Sequence, residues 1–382
     1  MKIAYIYSSL TTIGGADRVI IEKANYFAEK CGYEVYMITD SQLGLPTAFP
    51  LSPKVKHIDL EMNFFEQYHH SFFMRGYIYF KLMRIYKRKL NELLNSLQLD
   101  FTITTLGKDA DFLTTLKDGS KKIAESHISK EYIRNLHLLK QRGLPYRIVA
   151  SIWTKRMEKA IKKMDAFVVL TDNDAKKWND IKKAIVIPNS LPFYPEERSK
   201  CNNKQVISVG RSYPQKGYDM LIPAWEIVHK QHPDWILSIY GNGEQEKELK
   251  GLICQKGLEQ CLYILTPVKN IMEKYLESSF YVMSSRFEGF GMTLIEAMAC
   301  GIPCISFTCP NGPANIIKNN EDGILVDNGN VNQLAEKIIY LIEHEQERTK
   351  MGEKAKENVK RYMPDIIMQK WISLFESFKK EK

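Results

Sequence analysis

The feature that most restricts the fold is an alternation. Short apolar runs with strand character are separated, through almost the whole chain of 382 residues, by segments of helical periodicity. The runs fall at Ile3–Tyr7, Glu34–Ile38, Phe101–Thr105, Lys122–Glu125, Phe167–Leu170 and Ile185–Ile187. They resume at Gln205–Val209, Ile236–Tyr240, Tyr263–Leu265, Phe280–Met283, Cys304–Phe307 and Ile324–Val326. Parallel strands need a crossover long enough for a helix, so this alternation builds parallel sheets covered by helices. It pauses once, at Pro188-Asn189-Ser190-Leu191-Pro192 and the polar stretch Glu196–Asn203, a composition that marks a linker. The expected fold is α/β, with two doubly wound parallel-sheet domains at 1–195 and 196–364. Residues 365–382 read as an amphipathic helix with Ile366, Ile367, Trp371, Leu374, Phe375 and Phe378 on its apolar side.

One strand-to-helix passage carries more chemistry than the others. The run Phe280–Met283 leads into Arg286–Ala297, RFEGFGMTLIEA, where Glu288-Gly289-Phe290-Gly291 forms a turn and a helical pattern opens at about Met292. Ligands of open parallel sheets sit at such carboxyl-end turns. Glycine lets the backbone approach closely, and the free amides of a first helical turn attract a phosphate. If those amides hold a diphosphate, Glu288 before the helix and Glu296 inside it would put one carboxylate within reach of each end of a nucleotide-sugar. A carboxylate accepts hydrogen bonds from a vicinal diol through both of its oxygens. Two solvated surface glutamates on an ordinary strand–helix unit are the plainer alternative.

The phrase, together with CGIPCISF, GPANII and DGILV after it, resembles the E-x7-E motif of glycosyltransferase family 4, retaining enzymes of the GT-B fold. That resemblance implies two Rossmann-like domains facing across a cleft, the last helix crossing back onto the first domain, and donor and acceptor meeting between them. It places Glu288 at the donor sugar, Glu296 at the ribose, and Phe290, Gly291, Met292 and Thr293 along the sugar and phosphate cradle. The loop TTIGGADR after the first strand is similar to the family's GGAERV element, so Gly14 and Gly15 are expected to turn amides toward the donor phosphates and the acceptor. It lacks G-x-G-x-x-G, which argues against a nicotinamide dinucleotide. Gly210-Arg211 and Lys216-Gly217 resemble the family's GR…KG element, whose Arg and Lys carry the pyrophosphate. Two cations in one loop suit a leaving diphosphate on charge alone. Glu125-Ser126-His127 ends another strand where the family's histidine reaches the donor sugar, which makes His127 a candidate contact to a hydroxyl or to the reacting face.

Composition narrows the class further. A hydrophobic share of 44% and a charged share of 26% are globular values. The seven cysteines show no metal-ligand spacing and read as reduced thiols of a cytosolic protein. The chain opens directly into a strand and its apolar runs stay short of a membrane span, so a cytoplasmic protein without a leader is expected. The charge of +9 is uneven: residues 1–195 hold 30 Lys and Arg against 20 Asp and Glu, the remainder 24 against 25. The first domain therefore expects an anionic partner. Its segment Phe72–Leu94 mixes Phe72, Phe73, Tyr77, Tyr79 and Phe80 with Arg75, Lys81, Arg84, Lys87, Arg88 and Lys89. Such a cationic amphipathic helix suits an anionic membrane surface, or is simply a solvated face. No nucleic-acid motif accompanies it. Asp109-Ala110-Asp111 matches the metal-binding D-x-D of another transferase fold, but it falls in the acidic first turn of an expected helix, where carboxylates are favoured anyway.

These residues and the resemblance imply a retaining, metal-free transfer of a hexose or N-acetylhexosamine. The donor would be a nucleotide-sugar, UDP-linked, and no cofactor is expected beyond that substrate. The acceptor would be a lipid-linked or polysaccharide glycan at the inner face of a bacterial membrane, with the enzyme bound peripherally there. A GT-B enzyme of small sugars or glucans, like the sucrose or glycogen synthases, and a non-catalytic nucleotide-sugar-binding subunit are the alternatives.

Overall fold

The structure, a computed structural model, describes residues 1–141 and 143–379. Positions 380–382 of the expected last helix, and the side chains of Phe72 and Phe73, lie outside the described residues. The chain divides into two compact units, Met1–Ile187 and Pro188–Lys382.

In the first unit the strands are β1 (Lys2–Tyr7), β2 (Glu34–Thr39), β3 (Val55–Asp59), β4 (Phe101–Thr104), β5 (Lys121–Ser126), β6 (Ala166–Val169) and β7 (Ile185–Val186). They form one parallel sheet in the order β3-β2-β1-β4-β5-β6-β7. Ile3 pairs with Val35 on one side and Phe101 on the other, which makes β1 an interior strand. Residues Ile3 to Ile6 are fully buried because helices cover both faces, and this is why the run is apolar without alternation. Strand β3 is not expected from sequence. VKHID reads as polar because it is an edge strand with Lys56 and His57 turned to solvent. Helix Phe72–Leu97 buries Tyr86, Leu90 and Leu94 against the sheet, with the Tyr86 ring edge-on to Phe112 at 5.3 Å.

The second unit contains β8 (Gln205–Val209), β9 (Ile236–Tyr240), β10 (Leu262–Leu265), β11 (Phe280–Met283), β12 (Cys304–Phe307) and β13 (Gly323–Val326). Their order is β10-β9-β8-β11-β12-β13, again parallel. Trp225 on helix Tyr218–Gln231 is fully buried among Leu237, Phe280 and Ile305. Burying such a side chain contributes about 1.5–3 kcal/mol or more. The helix Pro364–Ser377 buries Ile367, Met368, Trp371, Leu374 and Phe375. Ile366, expected on the apolar side, lies half exposed. Among the described residues no helix is long and apolar enough to cross a membrane.

Candidate active site

In the second unit, strand order reverses between β8 and β11, and the loops leaving their carboxyl ends part there. Every sequence-expected residue of that unit falls on these two loops or on helix Met292–Ala299, which the second of them opens. After β8, Gly210-Arg211 precedes a 3₁₀ turn, Pro214–Lys216, and Gly217 at φ +65° turns the chain into helix Tyr218–Gln231. A side chain at 217 would strike the Ser284 carbonyl at 2.1 Å, so only glycine fits. After β11, Gly291 at φ +104° opens helix Met292–Ala299.

The two loops are joined at several levels. Lys216 Nζ lies 2.8 Å from Glu288 Oε1, and Ser285 Oγ donates to the same oxygen at 2.6 Å. Gln215 donates to the Phe287 carbonyl at 3.0 Å, and Ser284 Oγ to the Lys216 carbonyl at 2.9 Å. Behind them the Arg286 guanidinium grips Asp219 with two bonds of 2.8 and 2.6 Å, which holds the Asp219 carboxyl below its usual range. Such bidentate pairs fix geometry as well as charge. Arg211 is exposed, its guanidinium 5.2 Å over the Tyr213 ring.

Glu296 sits one helical turn in and accepts from the Tyr275 hydroxyl at 3.2 Å. Glu288 and Glu296 are each only 7% exposed, which rules out a pair of freely solvated carboxylates. Thr293 shares a 2.8 Å bond with the Tyr281 hydroxyl, while Phe290 is buried edge-on to Tyr362 at 5.4 Å. Met292 is half-buried in the first turn.

Sequence reading missed Ser285 and the loop Gly241-Asn242-Gly243 after β9. There Ser212 N donates to the Asn242 carbonyl at 2.9 Å. A Cβ at 241 would lie 1.9 Å from the Gly210 carbonyl, and one at 243 would lie 2.5 Å from that of Ser212. Two glycines directly after a strand were the available signal.

Gly14, Gly15 and His127 belong to the first unit. Gly14 precedes helix Gly15–Glu29, its amide bonded to the Thr12 carbonyl at 2.9 Å. His127 follows β5 with its Nε2 3.3 Å from Glu125 Oε1, close enough for charge attraction but not aligned as a hydrogen bond. That glutamate is only 1% exposed and pairs with Lys23, 2% exposed, from helix Gly15–Glu29. Burial alone would raise the Glu125 carboxyl, but Lys23 and His127 more than offset it and hold it at about 2. Burial pulls the Lys23 ammonium down, with Glu125 opposing.

The Asp109–Asp111 stretch departs from expectation: it is a single 3₁₀ turn, Lys108–Asp111, rather than the start of a helix. The chain leaves helical geometry at Phe112, with φ −133°. Asp111 is taken by Arg134 at 3.0 Å, and burial pushes the Asp109 carboxyl up to about 6. Among the described residues no three His, Cys, Asp or Glu side chains converge on a point that would hold a metal ion.

This arrangement has known counterparts. Residues 193–358 match the family of glycosyl transferases group 1. An uncharacterized glycosyltransferase of Haemophilus influenzae is 27% identical over 97% of this chain and 98% of its own length. The chain is a glycosyltransferase of the GT-B fold. The amylovoran biosynthesis glycosyltransferase AmsD of Erwinia amylovora is 36% identical to this glycosyltransferase over 53% of the chain and 60% of AmsD. The fold of the whole chain matches a TarM variant of S. aureus, solved with Fondaparinux, alpha-GlcNAc-glycerol and UDP. The TM-score is 0.78 at 16% identity, covering 98% of this chain and 99% of that one.

Proposed function

We propose that the enzyme moves a hexose or N-acetylhexosamine from a UDP-sugar, with retention, to a lipid-linked or polysaccharide acceptor in bacterial surface-glycan synthesis. The observation that carries this reading is the pairing of half-buried Lys216 with buried Glu288 where strand order reverses, just ahead of helix Met292–Ala299. In this reading Arg211, Lys216 and the first-turn amides take the diphosphate, and their charge stabilises it as it leaves. Both bonds to Glu288 land on Oε1, so its other oxygen is the one a donor sugar would meet. Glu296 accepts from the ribose. His127, beside Glu125, is the first unit's candidate for the donor sugar.

Front-face attack, with a diphosphate oxygen receiving the acceptor proton, needs no general base and no metal. Two side-chain cations supply the charge that a divalent ion would otherwise bring. The relatives support the reading: AmsD is named for amylovoran biosynthesis, and the TarM variant was solved with alpha-GlcNAc-glycerol and UDP.

The test is a thermal-shift screen of UDP-glucose, UDP-galactose, UDP-N-acetylglucosamine, GDP-mannose and ADP-glucose, then a donor-hydrolysis assay with and without EDTA. A ligand at a hundred times its Kd adds about 2.7 kcal/mol of stability. Stabilisation by a UDP-sugar, with hydrolysis that survives EDTA, is expected. Loss of hydrolysis in EDTA with rescue by Mn²⁺ or Mg²⁺ would reinstate a metal. Stabilisation by GDP- or ADP-sugars alone would reassign the donor.

A further inference from the structure

The turn that presents Glu288 is supported from behind by residues far along the chain. Phe290 lies in that turn, yet it is only 3% exposed, so its ring faces the interior. It meets the Tyr362 ring edge-on, with centroids 5.4 Å apart and the planes at 87°. Such pairs are directional as well as apolar, because the positive rim of one ring meets the negative face of the other. Gly291 follows at φ +104°, which leaves Phe290 as the last side-chain anchor before helix Met292–Ala299 begins.

Tyr362 is itself held at several points. It ends the 3₁₀ turn Val359–Tyr362 and is 5% exposed. Its hydroxyl donates to the Asn315 carbonyl at 3.2 Å, and neighbouring Arg361 donates to the Ile316 carbonyl. These are the last carbonyls of helix Pro313–Ile316, and a helix so short leaves them without partners of its own. The Arg361 guanidinium also lies 4.7 Å over the Tyr362 ring. The Tyr362 carbonyl in turn accepts from the backbone amide of Leu191 at 2.8 Å.

The loop ahead of helix Pro313–Ile316 lies directly against the back of the Glu288 turn. The Glu288 amide donates to the Pro310 carbonyl at 3.3 Å. A Cβ at Gly312 would stand 2.8 Å from both the Glu288 Cβ and the Phe290 carbonyl oxygen. Tyr362 therefore touches this assembly twice, by its ring at Phe290 and by its hydroxyl at Asn315. One side chain fixes the turn and the segment behind it relative to each other. We propose that Tyr362 is a positioning residue for the donor, acting through Phe290 to fix the backbone of residues 288–291. The Glu288 carboxylate and the first amides of helix Met292–Ala299 are set with it. The proposal deepens the donor reading above and rests on it for what the turn binds. Rates are sensitive to such support, since a misplacement of about 1 Å can cost roughly 10²-fold.

Hydrogen exchange of the full chain, followed by mass spectrometry, reads this support without any ligand. In Tyr362→Leu, which keeps bulk but loses ring and hydroxyl, peptides over residues 287–294 should exchange roughly tenfold faster. Peptides over Gln205–Val209 and Ile236–Tyr240 should keep wild-type protection. Phe290→Leu should reproduce the change, and the double variant should add little to either. Phe290→Leu also reads the contact from its other side should Tyr362→Leu fail to fold. Tyr362→Phe keeps the edge-on ring and should stay close to wild type at the turn. Faster exchange spread evenly over the second unit, no change at the turn, or additive effects in the double variant would each overturn the proposal. Hydrolysis of the UDP-sugar that stabilises the enzyme reads the consequence. Tyr362→Leu should lower kcat by roughly tenfold to a hundredfold and move KM much less, because Arg211 and Lys216 on the other loop still hold the diphosphate. An unchanged kcat beside a loosened turn would also overturn the positioning role. Failure of the wild-type chain to bind any UDP-sugar would instead sink the donor reading, and the exchange result would still decide whether Tyr362 holds the turn.

Discussion

Lys216 Nζ and Glu288 Oε1, 72 positions apart in sequence, stand 2.8 Å from each other and tie the loop after β8 to the loop after β11. In the proposed reading the ammonium is poised by a carboxylate before any diphosphate arrives, and the glutamate assigned to the sugar is held by the lysine assigned to the phosphate. On that reading one contact would set the residues for the sugar and for the diphosphate together.

Substitutions on these loops should therefore separate by role. Lys216→Ala and Arg211→Ala should each lower turnover by roughly 10²–10³, the cost of losing one charge-stabilising donor. The exposed Arg211 should do so without loss of stability. Glu296→Gln should chiefly raise KM, because the ribose is bound alike in ground and transition states. Glu288→Gln should chiefly lower kcat, since its contact tightens as charge develops at the anomeric carbon. Steady-state kinetics with a saturable donor reads all four. The reverse split between the glutamates would exchange their assigned ends, and unchanged kinetics in all four would remove the site.

The buried pair beneath His127 should govern acid stability. Glu125 is held at about 2, below its ordinary 4.5. A lowered carboxyl contributes stability that is present above the ordinary value and drains away as pH falls through the folded one. Wild-type protein should thus lose stability across that acid window, and Glu125→Gln should flatten the loss. At neutral pH Glu125→Gln should cost roughly 3–5 kcal/mol, because it removes the buried carboxylate that is paired with the Lys23 ammonium. Adding Lys23→Met should restore most of that deficit. Denaturation curves at neutral and acid pH check both signs. Additive losses in the double variant would mean the pair does not act as a unit.

Membrane docking by helix Phe72–Leu97 should depend on one face. Met74, Tyr77 and Phe80 are exposed there, followed by exposed Lys81, Arg84 and Arg88. Lys89 drops out of the cationic set proposed from sequence, because its Nζ is bonded to the Leu60 carbonyl at 2.8 Å. Binding to anionic vesicles should weaken as salt rises, each cation near the surface contributing about 1 kcal/mol. Changing Lys81, Arg84 and Arg88 to Gln should weaken it further, whereas Lys89→Gln should matter little. Equal partition onto neutral and anionic vesicles would count against docking.

What the sequence disclosed follows from how local each determinant is. The Arg286–Ala297 passage was legible because strand, turn, glycines and helix start lie within a dozen or so consecutive residues. Strand β3 was not, since an edge strand with Lys56 and His57 outward carries no apolar run. The Lys23–Glu125 pair joins positions 102 apart and leaves no spacing to notice. Tyr362 draws contacts from Leu191, Phe290 and Asn315, and only the folded unit brings them together. Helix Leu144–Lys163 was expected only as an interval between strands. Its exposed Ile148, Val149 and Ile152 emerged once the buried face, Ala150, Met157, Ala160 and Ile161, was known.

The glycines that let three loops touch have a practical bearing on engineering. With carbonyl oxygens standing where side chains at 217, 241 and 243 would begin, the cradle is main chain against main chain. No rotamer change can absorb a substitution there, so libraries aimed at a new donor sugar should hold those codons constant. Diversity is better placed at Met292, whose half-buried side chain in the first helical turn can vary while the backbone of these loops holds.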